Sequence, residues 1–139
     1  MKSDKQFLKW VEEIAKSSND PITKVGAIIL TIDLQVIKAY NYSLGLIKPE
    51  RFIRPEKYNY FEHAERNAIY EAAKNGIKLD GGTMFTHNMP CINCARAVIQ
   101  SGITTVVCYE RYSERWGESQ AKAEELLTEC NIQIRKYEN

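Results

Sequence analysis

The sequence predicts an α/β fold with a mixed sheet covered by helices, and three observations carry that expectation. Helical and alternating apolar patterns take turns along the second half of the chain, which implies strands paired in parallel through helical crossovers. Two strand-like runs before residue 41 are separated only by a short turn, which implies an antiparallel hairpin attached to that sheet. A length of 139 residues with 44% hydrophobic content suits one domain, residues 1–139, around one ordinary core.

The elements follow in order. Ser3 and Gln6 have the spacing of a capping box, and Phe7, Trp10, Val11 and Ile14 recur at helical intervals, so a helix is expected over about 4–17 with its aromatics in the core. Asn19-Asp20-Pro21 ends it. Val25 to Leu30 and Gln35 to Tyr40 read as strands about a turn near Asp33, while 42–60 has no clean period and carries Pro49 and Pro55, an irregular connection. Ala64, Ala68, Ile69, Ala72 and Ala73 define the next helix, closed by Asn75-Gly76. Thr83 to Thr86 is a short strand, Cys91 to Ser101 a helix stopped by Gly102, and Ile103 to Tyr109 a strand. Glu118 to Glu129 is a helix with Ala123, Leu126 and Leu127 inward, and Ile132 to Tyr137 a final strand.

A formal charge of +1 gives no global basic field, so no long nucleic acid partner is expected and any nucleotide must be gripped locally. Met1-Lys2-Ser3-Asp4-Lys5-Gln6 does not resemble a signal peptide, and no apolar run approaches about 18 residues. The expectation is a cytoplasmic protein without a membrane partner. Four cysteines do not suggest a disulfide framework here, because Cys91 and Cys94 have metal spacing. Cys108 and Cys130, at the edges of apolar runs, read as small buried hydrophobes.

The chemistry concentrates in His63-Ala64-Glu65 and Pro90-Cys91-Ile92-Asn93-Cys94. Two thiolates and one imidazole are three good ligands for Zn²⁺, and three protein ligands leave the fourth tetrahedral position for water, the arrangement of a catalytic site. Cys91 and Cys94, three apart at the start of a helix, share a face and meet the positive end of its dipole. On a regular helix His63 and Glu65 would diverge by roughly 200°, so they converge only if the site lies at the helix N-terminus. Two thiolates already cancel the metal's charge, so water there is acidified less than at a three-histidine site, where its pKa is about 7. Glu65 is the carboxylate placed to take that proton. A purely structural zinc would need a fourth protein ligand, from His87, Cys108 or Cys130, and gives no reason for the glutamate. The H-x-E and P-C-x-x-C pair is the signature of zinc-dependent nucleobase deaminases.

Beyond that signature, the segments His63 to Ile69, Pro90 to Ala95 and Ile99 to Ile103 resemble the deoxycytidylate (dCMP) deaminase family within the cytidine deaminase superfamily. Asp20-Pro21 through Lys24-Val25-Gly26-Ala27, with Tyr40-Asn41, resemble that family's first hairpin, so the likeness spans about residues 18–117. It implies a three-layer αβα sandwich with a mixed five-stranded sheet, one catalytic zinc ion per chain, hydrolytic deamination of a small nucleotide (dCMP to dUMP plus ammonia), and a homo-oligomer. By matching position, His63, Cys91 and Cys94 become the metal ligands, Glu65 the proton shuttle, and Asn41 and Ala64 substrate contacts. Two features depart from the family. Ala39-Tyr40-Asn41-Tyr42 stands where Gly-Tyr-Asn-Gly is common, and the cysteine/histidine set of a second zinc site in longer members is absent.

A monophosphate substrate needs cationic or backbone donors. Lys24 is the first choice, at a position resembling a basic residue on the family's phosphate side, with Arg111 and Arg115 beyond Tyr109 as secondary candidates. Lys48, Arg51, Arg54 and Lys57, at three-residue intervals among aromatics, read mostly as a solvated face, with contact to a phosphate or a partner as the lesser alternative. Two other functions use the same zinc motif: deamination of another nucleoside, a free base or tRNA adenosine, and a zinc-stabilised binding module without catalysis.

Overall fold

The computed structural model describes residues 1–43, 45–110 and 115–139. Five strands form one sheet in the order β2-β1-β5-β6-β7. β1 (Gly26–Leu30) is antiparallel to both β2 (Val36–Tyr40) and β5 (Thr83–Thr86), while β5, β6 (Thr105–Tyr109) and β7 (Gln133–Tyr137) run parallel. This is the mixed sheet of the α/β expectation. α3 (Ile92–Gln100) and α4 (Gly117–Glu129) make the crossovers, and α2 (Ala64–Lys74) returns the chain from the hairpin to β5. Among the described residues, no helix is long and apolar enough to cross a membrane.

Period-two alternation sorts the strands' side chains into two cores, and this makes three layers. Ile29, Met84 and Val106 pack with Ala68, Ala72, Ala95, Val98, Ala123 and Leu127 of α2, α3 and α4. Their neighbours Ile28, Phe85 and Val107 turn the other way, against Phe7, Leu8 and Val11 of α1 (Asp4–Ala15). α1 starts at the expected capping box: Ser3 accepts from the Gln6 amide, and the Gln6 side chain accepts from the Ser3 amide at 2.8 Å. Phe7 then stacks on Phe85 with ring centroids 4.4 Å apart. At the far edge, Arg135 and Tyr137 of β7 hold the Asp4 carboxylate, closing the α1 layer over the last strand.

The irregular connection contains a two-residue ladder, β3 (Tyr42–Ser43) with β4 (Phe61–Glu62), and two 3-10 turns, Pro49–Phe52 and Glu56–Asn59. Gly102, at φ 87°, stops α3 where the sequence expected. Cys108 is buried as expected, but Cys130 is exposed. It is the C-cap of α4, followed by Asn131 at φ 62°, so it lies on the turn and not in the face of the last strand. Leu126 is only half-buried, because α4 turns Gln120, Ala123 and Leu127 inward.

α1 lies directly against β1, and Gly26 is the point of closest approach. A Cβ there would fall within contact distance of the Val11 carbonyl oxygen and 3.1 Å from the Ala15 amide nitrogen, both helix backbone. Gly26→Ala is therefore expected to destabilise the fold by about 1–3 kcal/mol, the usual cost of overpacking. Urea unfolding checks it: an unchanged midpoint would show that α1 moves aside freely.

Candidate active site

Three helix N-termini and the hairpin's open end meet at one end of the sheet. Because β1 is antiparallel to β5, with Ala27 opposite Thr86, the start of β1, the end of β2 and the end of β5 share that end. His63 is the N-cap of α2 and Cys91 the N-cap of α3, both with extended backbone (φ −73°, ψ 148° and φ −69°, ψ 168°). Neither side chain makes a capping hydrogen bond, so both point away from their helices and toward each other. His63 Nδ1 lies 3.6 Å from Cys91 Sγ and 3.4 Å from Cys94 Sγ. All three donor atoms fall within 4.8 Å of one another, a soft N/S₂ set of the size and chemistry that zinc requires.

The electrostatics suit a metal. Within the protein's own groups, a hydrogen bond from Cys94 holds the Cys91 thiol down to about 3, with His63 adding to it against the effect of burial. The same hydrogen bond, then burial, pushes Cys94 up. One sulfur is thus a ready thiolate, and the other gives up its proton to a cation. The bond to Cys91 also raises His63. Glu62 steadies His63 from behind: its Oε1 accepts from the His63 amide at 2.9 Å and from Arg66 Nε at 2.7 Å.

Glu65 sits in the first turn of α2, 7% exposed, beside this set. Burial raises its pKa above the ordinary carboxylate range, with the charge of His63 opposing. A carboxyl so placed accepts and returns a proton more readily near neutral pH than a solvated one. One cavity holds Glu65, His63, Ala64, Cys91 and Asn41 on its wall. The Trp116 ring stands edge-on to His63 at 5.8 Å and to Tyr58 at 5.9 Å, closing one side. Gln120 of α4 donates to the Met89 carbonyl at 2.8 Å, and Ser119 accepts from the Ile92 amide at 2.8 Å, so α4 is fixed to the start of α3.

The remaining expected residues divide. Asn41, 8% exposed, accepts from the Val25 amide at 2.8 Å and donates to the Thr23 carbonyl at 2.9 Å, so much of its amide braces the cavity wall. Arg115 lines the cavity; Arg111 lies outside the described residues. Lys24 does not line the cavity: it is exposed, and its ammonium donates to the Ser18 carbonyl. The reading of Lys48, Arg51, Arg54 and Lys57 as a solvated face needs correction. Lys57 is buried and pairs with Asp20 at 2.7 Å, with side-chain exposures of 6% and 2%, and Arg54 lines the cavity. The series spans two separate 3-10 turns, so its regular interval does not put the four residues on one face. Sequence reasoning also missed Tyr58 and Trp116, which have no spacing relation to the zinc motif. Their one available signal was aromatic enrichment on either side of it.

Fold and site together define a zinc-dependent deaminase of the αβα class. The sequence profile of the family described as cytidine and deoxycytidylate deaminase zinc-binding region matches residues 1–110. The chain is 32% identical over 135 residues to an uncharacterized deaminase in the luxG 3′ region of Aliivibrio fischeri, covering 94% of this chain and 90% of that protein. It is 30% identical over 148 residues to deoxycytidylate deaminase of Mus musculus, covering 94% and 81%. The crystal structure of dCMP deaminase from cyanophage S-TIM5, in complex with dCMP and dUMP, superposes with a TM-score of 0.78 at 23% identity over 99% of both chains, a shared fold. The chain belongs to the cytidine and deoxycytidylate deaminase family, and its cofactor is one zinc ion.

Two predictions follow from the geometry. Cys94→Ser removes a soft ligand from a buried site and is expected to lose zinc and thermal stability together, since binding and folding are coupled. Metal analysis showing one full equivalent in the variant would remove Cys94 from the ligand set. Asp20→Asn breaks a buried pair and is expected to cost about 3–5 kcal/mol by leaving Lys57 unpaired. At Asp20, desolvation is outweighed by hydrogen bonds from Lys57 and the Ile22 and Thr23 amides, so its folded pKa lies below the unfolded 3.8. Its stabilisation is complete above that unfolded value and is lost as pH falls through the lower folded value. Acid titration of unfolding should show a shallower limb for the Asn variant; parallel limbs would contradict the assignment.

Proposed function

We propose that the chain catalyses hydrolytic deamination of dCMP to dUMP with release of ammonia, as a homo-oligomer in the cytoplasm. One observation carries the reading: a buried carboxyl, Glu65, shares a cavity wall with a His/Cys/Cys donor set, the pairing that hydrolytic removal of an exocyclic amine needs. Names of relatives that cover most of this chain supply the substrate. The near-neutral charge favours a small nucleotide over a polynucleotide.

His63, Cys91 and Cys94 would hold the zinc, which would supply an acidified water as the nucleophile. The protein's own groups do the rest. Glu65 takes one proton of the attacking water and delivers it to the ring nitrogen next to the reacting carbon, then carries the second, from the hydroxyl formed on that carbon, to the departing amine, so that the carbon becomes a carbonyl and ammonia leaves. Its burial suits both duties, because a carboxyl with a raised pKa is a stronger base when ionised and is protonated nearer neutral pH. Ala64 and Asn41 contact the base and sugar, Asn41 through acceptor capacity beyond its bond to Val25. Trp116 and Tyr58 cover the site and exclude bulk water.

Glu65→Gln keeps the ligands and the shape but cannot accept a proton. It is expected to retain zinc and fold while turnover falls by about 10²–10⁴-fold. Ammonia release is measured for wild type and variant on dCMP, deoxycytidine, CMP, cytosine and adenosine. No release by the wild type on any of these, or an unchanged rate in the Gln variant, would overturn the proposal.

A further inference from the structure

We infer that Arg54 is the residue of this chain that distinguishes a nucleoside monophosphate from a nucleoside, its guanidinium taking the phosphate. The inference rests on the nucleotide reading above and assigns the group that makes it specific. Three described cations line the cavity: Arg54, Lys57 and Arg115. Lys57 is committed to Asp20, both side chains being buried, so its charge is cancelled where it stands. Arg115 is exposed, and a contact there is weakened by solvent and salt. Lys24 lies off the cavity wall with its ammonium on the Ser18 carbonyl.

Arg54 differs from all of these. Its Nη2 donates to Thr23 Oγ1 at 3.2 Å, which anchors one side of the guanidinium beside the cavity. Its Nε is buried and has no hydrogen-bond partner among the described residues, and no carboxylate among them pairs with its charge. Of the acidic residues on the cavity wall besides Glu65, Asp20 is engaged by Lys57 and Glu62 by Arg66 at 2.5 Å. A buried guanidinium N–H without an acceptor is costly unless a ligand completes it. The edge formed by Nε and Nη2 is the one that grips a carboxylate or phosphate bidentately. Arg135 shows that mode in the same chain, with Nε and Nη2 at 2.7 and 3.1 Å from the two Asp4 oxygens. A phosphate, with close to two negative charges and several acceptor oxygens, fits a planar, half-satisfied donor better than it fits a paired lysine.

The test compares kcat/KM for dCMP and deoxycytidine in the zinc-loaded wild type and in Arg54→Gln, Arg54→Lys and Lys24→Ala. Arg54→Gln is expected to lower kcat/KM on dCMP by about 10- to 150-fold, mainly through KM, the range for a lost charge-assisted hydrogen bond. Deoxycytidine turnover should be unaffected. Arg54→Lys, which keeps the charge but not the fork, should lie between wild type and Gln on dCMP. It also provides a conservatively changed protein should the Gln variant unfold, with the melting temperature as the control. Equal losses on the two substrates, or a dCMP-specific loss that follows Lys24→Ala and spares Arg54, would overturn the role of Arg54 while leaving the nucleotide reading intact. A wild type that turns over both substrates equally well removes the nucleotide reading, and this inference with it.

Discussion

The site depends on one constraint: two of its metal donors are helix N-caps, and a third helix begins beside them. An N-cap residue has extended backbone, so its side chain leaves across the mouth of the helix and not along its flank. His63 and Cys91 both have this geometry, and neither uses its side chain to cap its own helix. Their convergence lets His63 and Glu65, two residues apart, act on one point although a continuous helix would separate them. It also turns the positive helix ends toward sulfur, the charge distribution that favours thiolates. The sheet sets the meeting place, since ligands in open α/β sheets gather beyond the carboxyl ends of the parallel strands, where β5 hands over to α3.

Holding a polar site together inside a small protein takes further polar groups, and they form a connected set. Asp20 accepts from the Ile22 and Thr23 amides and from Lys57, and Asn41 ties Val25 to Thr23. Asn67 of α2 donates to the Tyr40 carbonyl at 2.8 Å, fixing the first turns of that helix to the end of β2. A buried ion pair of this kind adds little net stability compared with apolar packing, because desolvation offsets its attraction. Its effect lies in geometry: it fixes the second 3-10 turn, and with it Tyr58, against the cavity.

Much of this was legible in the sequence, for identifiable reasons. The strands alternate or are uniformly apolar, the first helix has its cap written at Ser3 and Gln6, and Gly102 stands where a helix must stop. The metal donors were readable because ligand spacing is local and chemically restrictive. Contacts between distant segments were not. Lys57 finds Asp20 across 37 residues of chain, and nothing in either residue's neighbourhood announces a buried pair. Lys24 illustrates the converse: its place beside the first strand is as the sequence suggested, yet its side chain turns to the Ser18 carbonyl, a choice set by local geometry after folding. Cys130 failed for a simpler reason, since one residue's shift past a helix end exchanges interior for solvent.

The short ladder between Tyr42–Ser43 and Phe61–Glu62 has an evolutionary consequence. It clasps the two ends of the intervening stretch at the edge of the cavity, so that stretch is a closed loop on a fixed base. Lengthening such a loop is cheap, about 0.6 kcal/mol for each doubling. The metal donors and Glu65 come from other segments, α2, α3 and the residues that cap them. One part of the cavity wall, with Arg54, Lys57 and Tyr58, therefore lies in a stretch of sequence separate from the one that carries the metal donors. A graft between Ser43 and Phe61 that keeps a lysine for Asp20 would reshape that part of the cavity wall and leave the metal donors in place.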